Sequence, residues 1–169
     1  MLLILLLACT QPNQQVAEVC DEEEVSVTDI ANGLNEEQKE VSYIIEQEFD
    51  EMGITPNITA AAIVNAMAES KLNPEAVGDG GKAVGTFQLH KNGLGKNLSF
   101  NDRTNIYTSA NIVGVQILKN ERLQSLDNKD AKISTLSNIF IEDIMRPANI
   151  EEEKMKRTRL SRKIFPDRI

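Results

Sequence analysis

Residues 60–90 read AAAIVNAMAESKLNPEAVGDGGKAVGTFQLH, and this stretch decides the fold. Its first half is an uninterrupted run of small and apolar residues. Its second half contains four glycines, at positions 78, 80, 81 and 85. Such a change of composition is typical of a buried helix followed by a turn-rich loop. We predict a central helix over about 59–71, capped by Thr59, and a small hairpin around Ala83–Leu89.

The end of this predicted helix carries Glu69, which shares a helical face with Ala62 and Ala66. A carboxyl group on an apolar face loses part of its hydration, and desolvation raises its pKa. The negative end of the helix dipole acts in the same direction. A carboxylic acid that stays protonated near neutral pH can protonate a leaving-group oxygen. Glu69 is therefore a candidate general acid, and the glycine-rich loop after it could close over a chain-like substrate.

An ordered set of short motifs over these residues resembles the lysozyme-like superfamily, specifically lytic transglycosylases and phage tail-associated lysozymes. The matching residues are Glu69-Ser70, Asn73-Pro74, Gly78–Gly81 and Gly85–Gln88. Weaker similarities lie at 102–106 and 140–147, so that the resemblance covers about 40–165. It implies a mainly α fold, a lysozyme-like helical domain with a Gly-rich loop or small β-hairpin beside the active-site cleft.

The resemblance also implies an activity, the cleavage of the β-1,4 bond between N-acetylmuramic acid and N-acetylglucosamine in peptidoglycan. Glu69 would be the catalytic acid and then the base that lets the muramyl 6-hydroxyl close a 1,6-anhydro ring. Ser70 would orient that carboxyl group or the sugar, and Gln88 would hold the substrate or the loop. The implied partner is the glycan strand of the cell wall, and no cofactor or metal is expected.

Three further polar residues are candidate substrate-binding residues, and each has a simpler interpretation. Asp79 is either a second carboxylate that activates water, as in an inverting hydrolase, or a turn residue among glycines. His90 either contacts substrate or is a polar loop residue. Tyr107 either stacks on a sugar or packs between helices; with Phe87 it is the nearest candidate for a sugar platform. The alternatives are therefore a lysozyme-type hydrolase using Glu69 and Asp79, or a catalytically silent wall-binding protein of the same fold.

Four more helices follow from apolar periodicity and capping residues. The first spans about 35–52, and its Asn35 and Gln38 are spaced as in a capping box. A long helix is predicted over 103–126 after Asp102, and another over 130–146 before Pro147. A last helix begins after Asn149.

Composition and charge narrow the remaining possibilities for this chain of 169 residues. Hydrophobic residues make up 41%, but aromatics only 4% and there is no Trp, which favours helices over a β-sandwich. Two Cys and one His argue against a disulfide framework or a His-rich metal site. Residues 1–51 carry 13 acids and one base (−12), and residues 52–169 carry 13 acids and 17 bases (+4), which gives the net −8. No aromatics interleave with the Arg-rich segment 154–168, so nucleic acid is not an expected partner.

The N-terminus resembles a bacterial lipoprotein signal, because Leu6-Leu7-Ala8-Cys9 follows an apolar run. The resemblance implies cleavage before Cys9 and its lipidation, which anchors the protein at the periplasmic face of a membrane. A phage virion is the alternative location. The other interpretation of the N-terminus is a frayed apolar end with Cys9 as a spare thiol or paired with Cys20. We expect three parts: a signal segment over 1–9, a flexible acidic tether over 10–34, and the catalytic domain over 35–169.

Overall fold

The computed structural model describes residues 26–128 and 130–166, and this part of the chain is mainly helical. Its α-helices are α1 (Glu36–Glu51), α2 (Pro56–Ser70), α3 (Phe100–Thr104), α4 (Ile106–Leu118), α5 (Glu121–Leu126), α6 (Ile133–Phe140) and α7 (Ile150–Ile164). A 3-10 turn covers Asp79–Gly81, and a π turn over Ile141–Met145 continues α6. The strands are β1 (Val77–Gly78), β2 (Ala83–Val84) and β3 (Leu89–His90). The predicted mainly α class is thereby confirmed.

The Ala-rich helix α2 lies at the centre, packed against α1, α6 and α7. Every residue from Ile58 to Ala66 is buried, because small side chains let the neighbouring helices approach from several sides. The helix begins earlier than predicted. Thr55 is the N-cap in place of Thr59, and its hydroxyl accepts the Ile58 N–H. Pro56 occupies the first turn, where its missing N–H leaves no bond unmade.

The hairpin predicted around Ala83–Leu89 is confirmed and belongs to a three-stranded antiparallel sheet in the order β1-β2-β3. Val84 pairs with Leu89 across the turn. The buried Arg103 of α3 holds the turn in place, donating from Nη1 to the carbonyls of Lys82 (2.8 Å) and Leu89 (3.1 Å). The sheet is therefore fixed to the helical body by side-chain bonds as well as by its buried apolar residues.

The single helix predicted over 103–126 is instead three, α3, α4 and α5. The side chain of Asn105 accepts the Thr108 N–H (2.9 Å), and that of Asn120 accepts the Leu123 N–H (2.9 Å). An Asn side chain that caps a new helix satisfies backbone donors that a continuous helix would bond itself. Similarly, regular α-helix in the predicted 130–146 segment is limited to α6, and the π turn completes it. Both α1 with its capping box and α7 after Asn149 follow the prediction.

Residues 26–34, which the sequence assigns to the tether, are packed onto the domain. Val27, Ala31 and Leu34 are buried in the main core. The Glu46 carboxylate on α1 accepts the backbone N–H groups of Val27 (2.6 Å) and Thr28 (3.0 Å). The compact unit therefore includes these residues, and its boundary with the tether lies before residue 35.

Residues 1–25, with both cysteines and the signal-like segment, lie outside the described residues. Within residues 26–128 and 130–166, no helix has the length and apolar character needed to cross a membrane.

Candidate active site

Glu69 lies in the last turn of α2 and is held there by charged and polar groups. Its side chain is 22% exposed, so the carboxyl group faces the interior with one edge toward solvent. The helix ends directly after Ser70, because Lys71 adopts the left-handed conformation (φ 59°). A carboxyl group so placed lies at the negative end of the helix dipole.

The main partner of Glu69 is Arg157 of α7, whose side chain is fully buried. Its Nη2 donates to Glu69 Oε1, and its Nη1 donates to the carboxylate of Glu153 one turn earlier on the same helix. Its Nε donates to Asn65 Oδ1 (2.7 Å) on α2. One guanidinium thus joins two carboxylates and an amide, which fixes the Glu69 side chain relative to both helices.

Asn65 is the only polar member of the α2 buried run Ala60–Ala66, and it anchors this network from below. Its Nδ2 donates to the Ala61 carbonyl (2.8 Å) and to Ser137 Oγ on α6 (2.9 Å). Its Oδ1 remains for Arg157. The amide therefore has a partner on three helices, as a buried amide requires.

The electrostatic environment keeps the pKa of Glu69 above its usual 4.5, and burial is the main cause. Arg157 opposes this, the negative charge of Glu153 reinforces it, and Lys156 opposes it more weakly. Because Glu153 already balances the charge of Arg157, a proton on Glu69 does not leave the guanidinium without an anion. The arrangement can thus hold Glu69 as an acid, as the sequence led us to expect.

Ser70 connects the end of α2 to the hairpin. Its hydroxyl donates to the Thr86 carbonyl (2.7 Å) and accepts the Asn73 N–H (3.1 Å). These bonds are to the backbone, so the described contacts of Ser70 position the loop beside Glu69. Its expected contact with sugar stays a prediction.

Gln88 closes the same loop from the other side. Its Nε2 donates to the carbonyls of Gly85 (3.0 Å) and Ala76 (3.2 Å), and its backbone has a positive φ of 47°. Its Oε1 lies so close to the Cα of Gly78 that a Cβ there would overlap it. Gln88 therefore holds the loop, one of the two roles expected for it.

Asp79 and His90 pair across the exposed tip of the sheet, with Asp79 Oδ2 3.1 Å from His90 Nε2. His90 Nδ1 accepts the Asn92 N–H (3.1 Å), so in the neutral ring the proton is on Nε2 and is donated to Asp79. Asp79 also adopts a positive φ of 46°, which suits its interpretation as a turn residue. The structure thus brings two predicted residues together, but their described contact is with each other.

A groove of about 340 Å³ lies between the sheet and the π turn after α6. Gln88 and His90 line one wall, and Asp143 and Arg146 line the other. Its polar walls suit a hydroxyl-rich ligand.

The two aromatic candidates differ. The ring of Tyr107, near the start of α4, is 54% exposed and can present a face to solvent. Phe87 is fully buried in the core, so the expectation that it could form a sugar platform was wrong. The cause is the hairpin, which turns Phe87 inward with Val84 and Leu89.

Arg157, Glu153 and Asn65 were not identified from the sequence. Two signals were present: an Asn in the middle of an otherwise apolar helix, and a Glu and an Arg four residues apart on α7. Over the described part of the chain, no group of three or more His, Cys, Asp and Glu side chains could hold a metal ion.

No protein-family model, no curated protein and no solved structure matches this chain.

Proposed function

We propose that this protein cleaves the glycan strands of peptidoglycan as a lytic transglycosylase, with Glu69 as its single catalytic acid. The observation that carries the proposal is a partly buried carboxyl group at the end of an apolar helix, with its pKa raised by burial. It lies beside a glycine-rich hairpin, in the order of motifs typical of the lysozyme-like superfamily. The helical architecture is compatible with a lysozyme-like domain.

In the proposed reaction, Glu69 donates its proton to the glycosidic oxygen as the bond to C1 of the muramyl residue breaks. The resulting carboxylate accepts the proton of the muramyl 6-hydroxyl while that oxygen bonds to C1. The products are a 1,6-anhydro end and a free 4-hydroxyl, and Glu69 is protonated again. Arg157 stabilises the carboxylate between the two steps, because its guanidinium already donates to Glu69.

The groove beside the sheet is the proposed sugar-binding site. Gln88 and His90 line it, and Ser70 and Asp79 shape the loop that forms its wall. Tyr107 offers the exposed ring for stacking. Peptidoglycan strands are the proposed partner, and neither a cofactor nor nucleic acid takes part.

A hydrolase that uses Glu69 and Asp79 is the second candidate. The exposed Asp79 carboxylate favours it, because an activated water needs access to solvent. The two reactions leave different ends: reducing sugars after hydrolysis, 1,6-anhydro sugars after transglycosylation.

A catalytically silent wall-binding protein is the third candidate. The pairing of Glu69 with a fully buried arginine favours it, because such ion pairs also occur for purely structural reasons. A Glu69→Gln variant with full biological activity would establish this alternative.

We also propose that Cys9 carries a lipid anchor at the periplasmic face of a bacterial membrane, with a phage virion as the alternative location. Cys9→Ala should then move the protein from the membrane fraction to the soluble fraction and block maturation. A wild-type protein that is wholly soluble and retains Met1 would contradict the anchor but not the active site.

A zymogram on purified wall tests the activity itself. The full chain should clear the embedded wall, and Glu69→Gln should not, because the amide is nearly isosteric but has no acidic proton to donate. Glu75→Gln is the matched control, since it removes an exposed carboxylate six residues further along. Circular dichroism should show equal helix content in all three proteins. Clearing by Glu69→Gln equal to the control would contradict the proposal.

A further inference from the structure

A second and larger groove, of about 720 Å³, lies between the last turn of α2 and one face of α7. Gly33, just before α1, completes its wall. Its floor is apolar and includes Met67, Met155 and Leu160. We call it the α2/α7 groove.

Positive charge surrounds this apolar floor. The basic lining residues are Lys71, Lys156, Arg159 and Lys163, against one acid, Glu152. Lys156 is already engaged: its Nζ donates to the Ala68 carbonyl (2.7 Å) and lies 3.7 Å from Glu153. Among the ion pairs of the described residues, none includes Lys71, Arg159 or Lys163. An occupant that combines negative charge with apolar side chains would complement the α2/α7 groove in both respects.

Residues 16–23 of this chain, VAEVCDEE, have that composition. Four residues are acidic, and Val16, Ala17, Val19 and Cys20 are apolar or nearly so. Within the chain they belong to the strongly acidic N-terminal part, whereas the groove belongs to the basic C-terminal part.

We propose that residues 16–23 bind the α2/α7 groove of their own chain. The acidic side chains would pair with the basic rim, and the apolar ones would cover the floor. An internal partner of this kind is present at millimolar effective concentration, so modest contacts suffice.

The chain has the length to reach. The described part begins at Ser26, whose hydroxyl donates to Glu46 on α1 (2.8 Å). Gln38, which lines the groove, lies eight residues earlier on α1, about 12 Å along the helix axis. The five residues from Asp21 to Ser26 can span about 17 Å when extended. Asp21 can thus meet the rim.

Disulfide trapping with the native Cys20 tests the proposal in the full chain. In a Cys9→Ser background, Lys163→Cys places a second thiol in the groove. Lys39→Cys is the control, because it is an exposed α1 residue that the tether can also reach but that does not line the groove. A disulfide forms only when the two Cα atoms approach within about 7 Å.

Under mild oxidation, we expect Cys20 to form an intramolecular disulfide in the Lys163→Cys variant in about fivefold higher yield than in the Lys39→Cys control. Changing Asp21, Glu22 and Glu23 together to Lys should reduce the yield in the Lys163→Cys variant to the control level. About 0.5 M salt should do the same, because exposed ion pairs are screened.

Equal yields in the two variants would overturn the proposal. If the Lys163→Cys variant formed its disulfide with Cys20 only between two chains, with a yield that rises with protein concentration, the proposal would also be overturned and the groove assigned to a second copy. A yield that charge reversal leaves unchanged would show that the segment does not recognise the basic rim, and would refute the proposal as well. None of these results depends on whether the protein cleaves peptidoglycan.

Discussion

Replacing Arg157 by Met tests whether this buried guanidinium holds the Glu69 carboxyl group in place. The substitution keeps much of the side-chain volume and removes three hydrogen bonds, to Asn65, Glu69 and Glu153. Removing one partner of a buried ion pair costs about 3–5 kcal/mol of folding free energy. Because the two carboxylates remain 22% and 27% exposed, water can solvate them in part, and the loss should lie near the lower value.

We therefore expect Arg157→Met to lower the free energy of unfolding by about 3 kcal/mol, measured by urea denaturation of the full chain. The control is Arg122→Met, which removes a guanidinium 2.6 Å from Glu142. Since the Arg122 side chain is 52% exposed, its loss should cost about 1 kcal/mol or less.

A double variant identifies the source of the penalty. If an unpaired Glu69 causes part of the loss, then Glu69→Gln should relieve part of the destabilisation by Arg157→Met, so that the two changes are not additive. Equal losses from Arg157→Met and Arg122→Met, or strictly additive effects in the double variant, would refute the reasoning.

Three other substitutions give measurable outcomes. Glu153→Gln removes a negative charge that raises the pKa of Glu69; the alkaline limb of the wall-cleavage profile should move to lower pH, whereas Arg157→Met should move it to higher pH. Asp79→Asn should reduce the cleavage rate far less than Glu69→Gln; equal losses in initial-rate assays would favour the two-carboxylate hydrolase. Gly85→Ala should destabilise the fold by about 2 kcal/mol or more in urea titrations, because its φ of 81° disfavours a side chain and the new Cβ would overlap the α3 backbone.

Local signals in the sequence predicted local structure well. Asn35 and Gln38 form the predicted capping box, since both partners lie within one turn. The predicted start of α2 is wrong because it favours Thr59 over the Thr55-Pro56 pair, which carries both a cap and a first-turn proline. The prediction also places Asn105 inside a helix, although its side chain caps the next one.

The surroundings of Glu69 could not be predicted in the same way. Glu69 itself stands out, because a carboxyl group at the end of an apolar helix is unusual. Its partner Arg157 lies 88 residues further along the chain, and the helix that carries it has the composition of an ordinary charged surface helix. Only the packing of α7 on α2 buries that guanidinium. Long-range contacts of this kind leave no periodic signal in the sequence.

Mass spectrometry of purified peptidoglycan after digestion tests the central claim most directly. The full chain should release muropeptides with 1,6-anhydromuramyl ends, and Glu69→Gln, folded to the same helix content, should release none. Reducing muramyl ends in place of anhydro ends would show hydrolysis. Anhydro products at undiminished yield from Glu69→Gln, or no released products from the wild-type chain, would contradict the assignment of Glu69 as the catalytic acid.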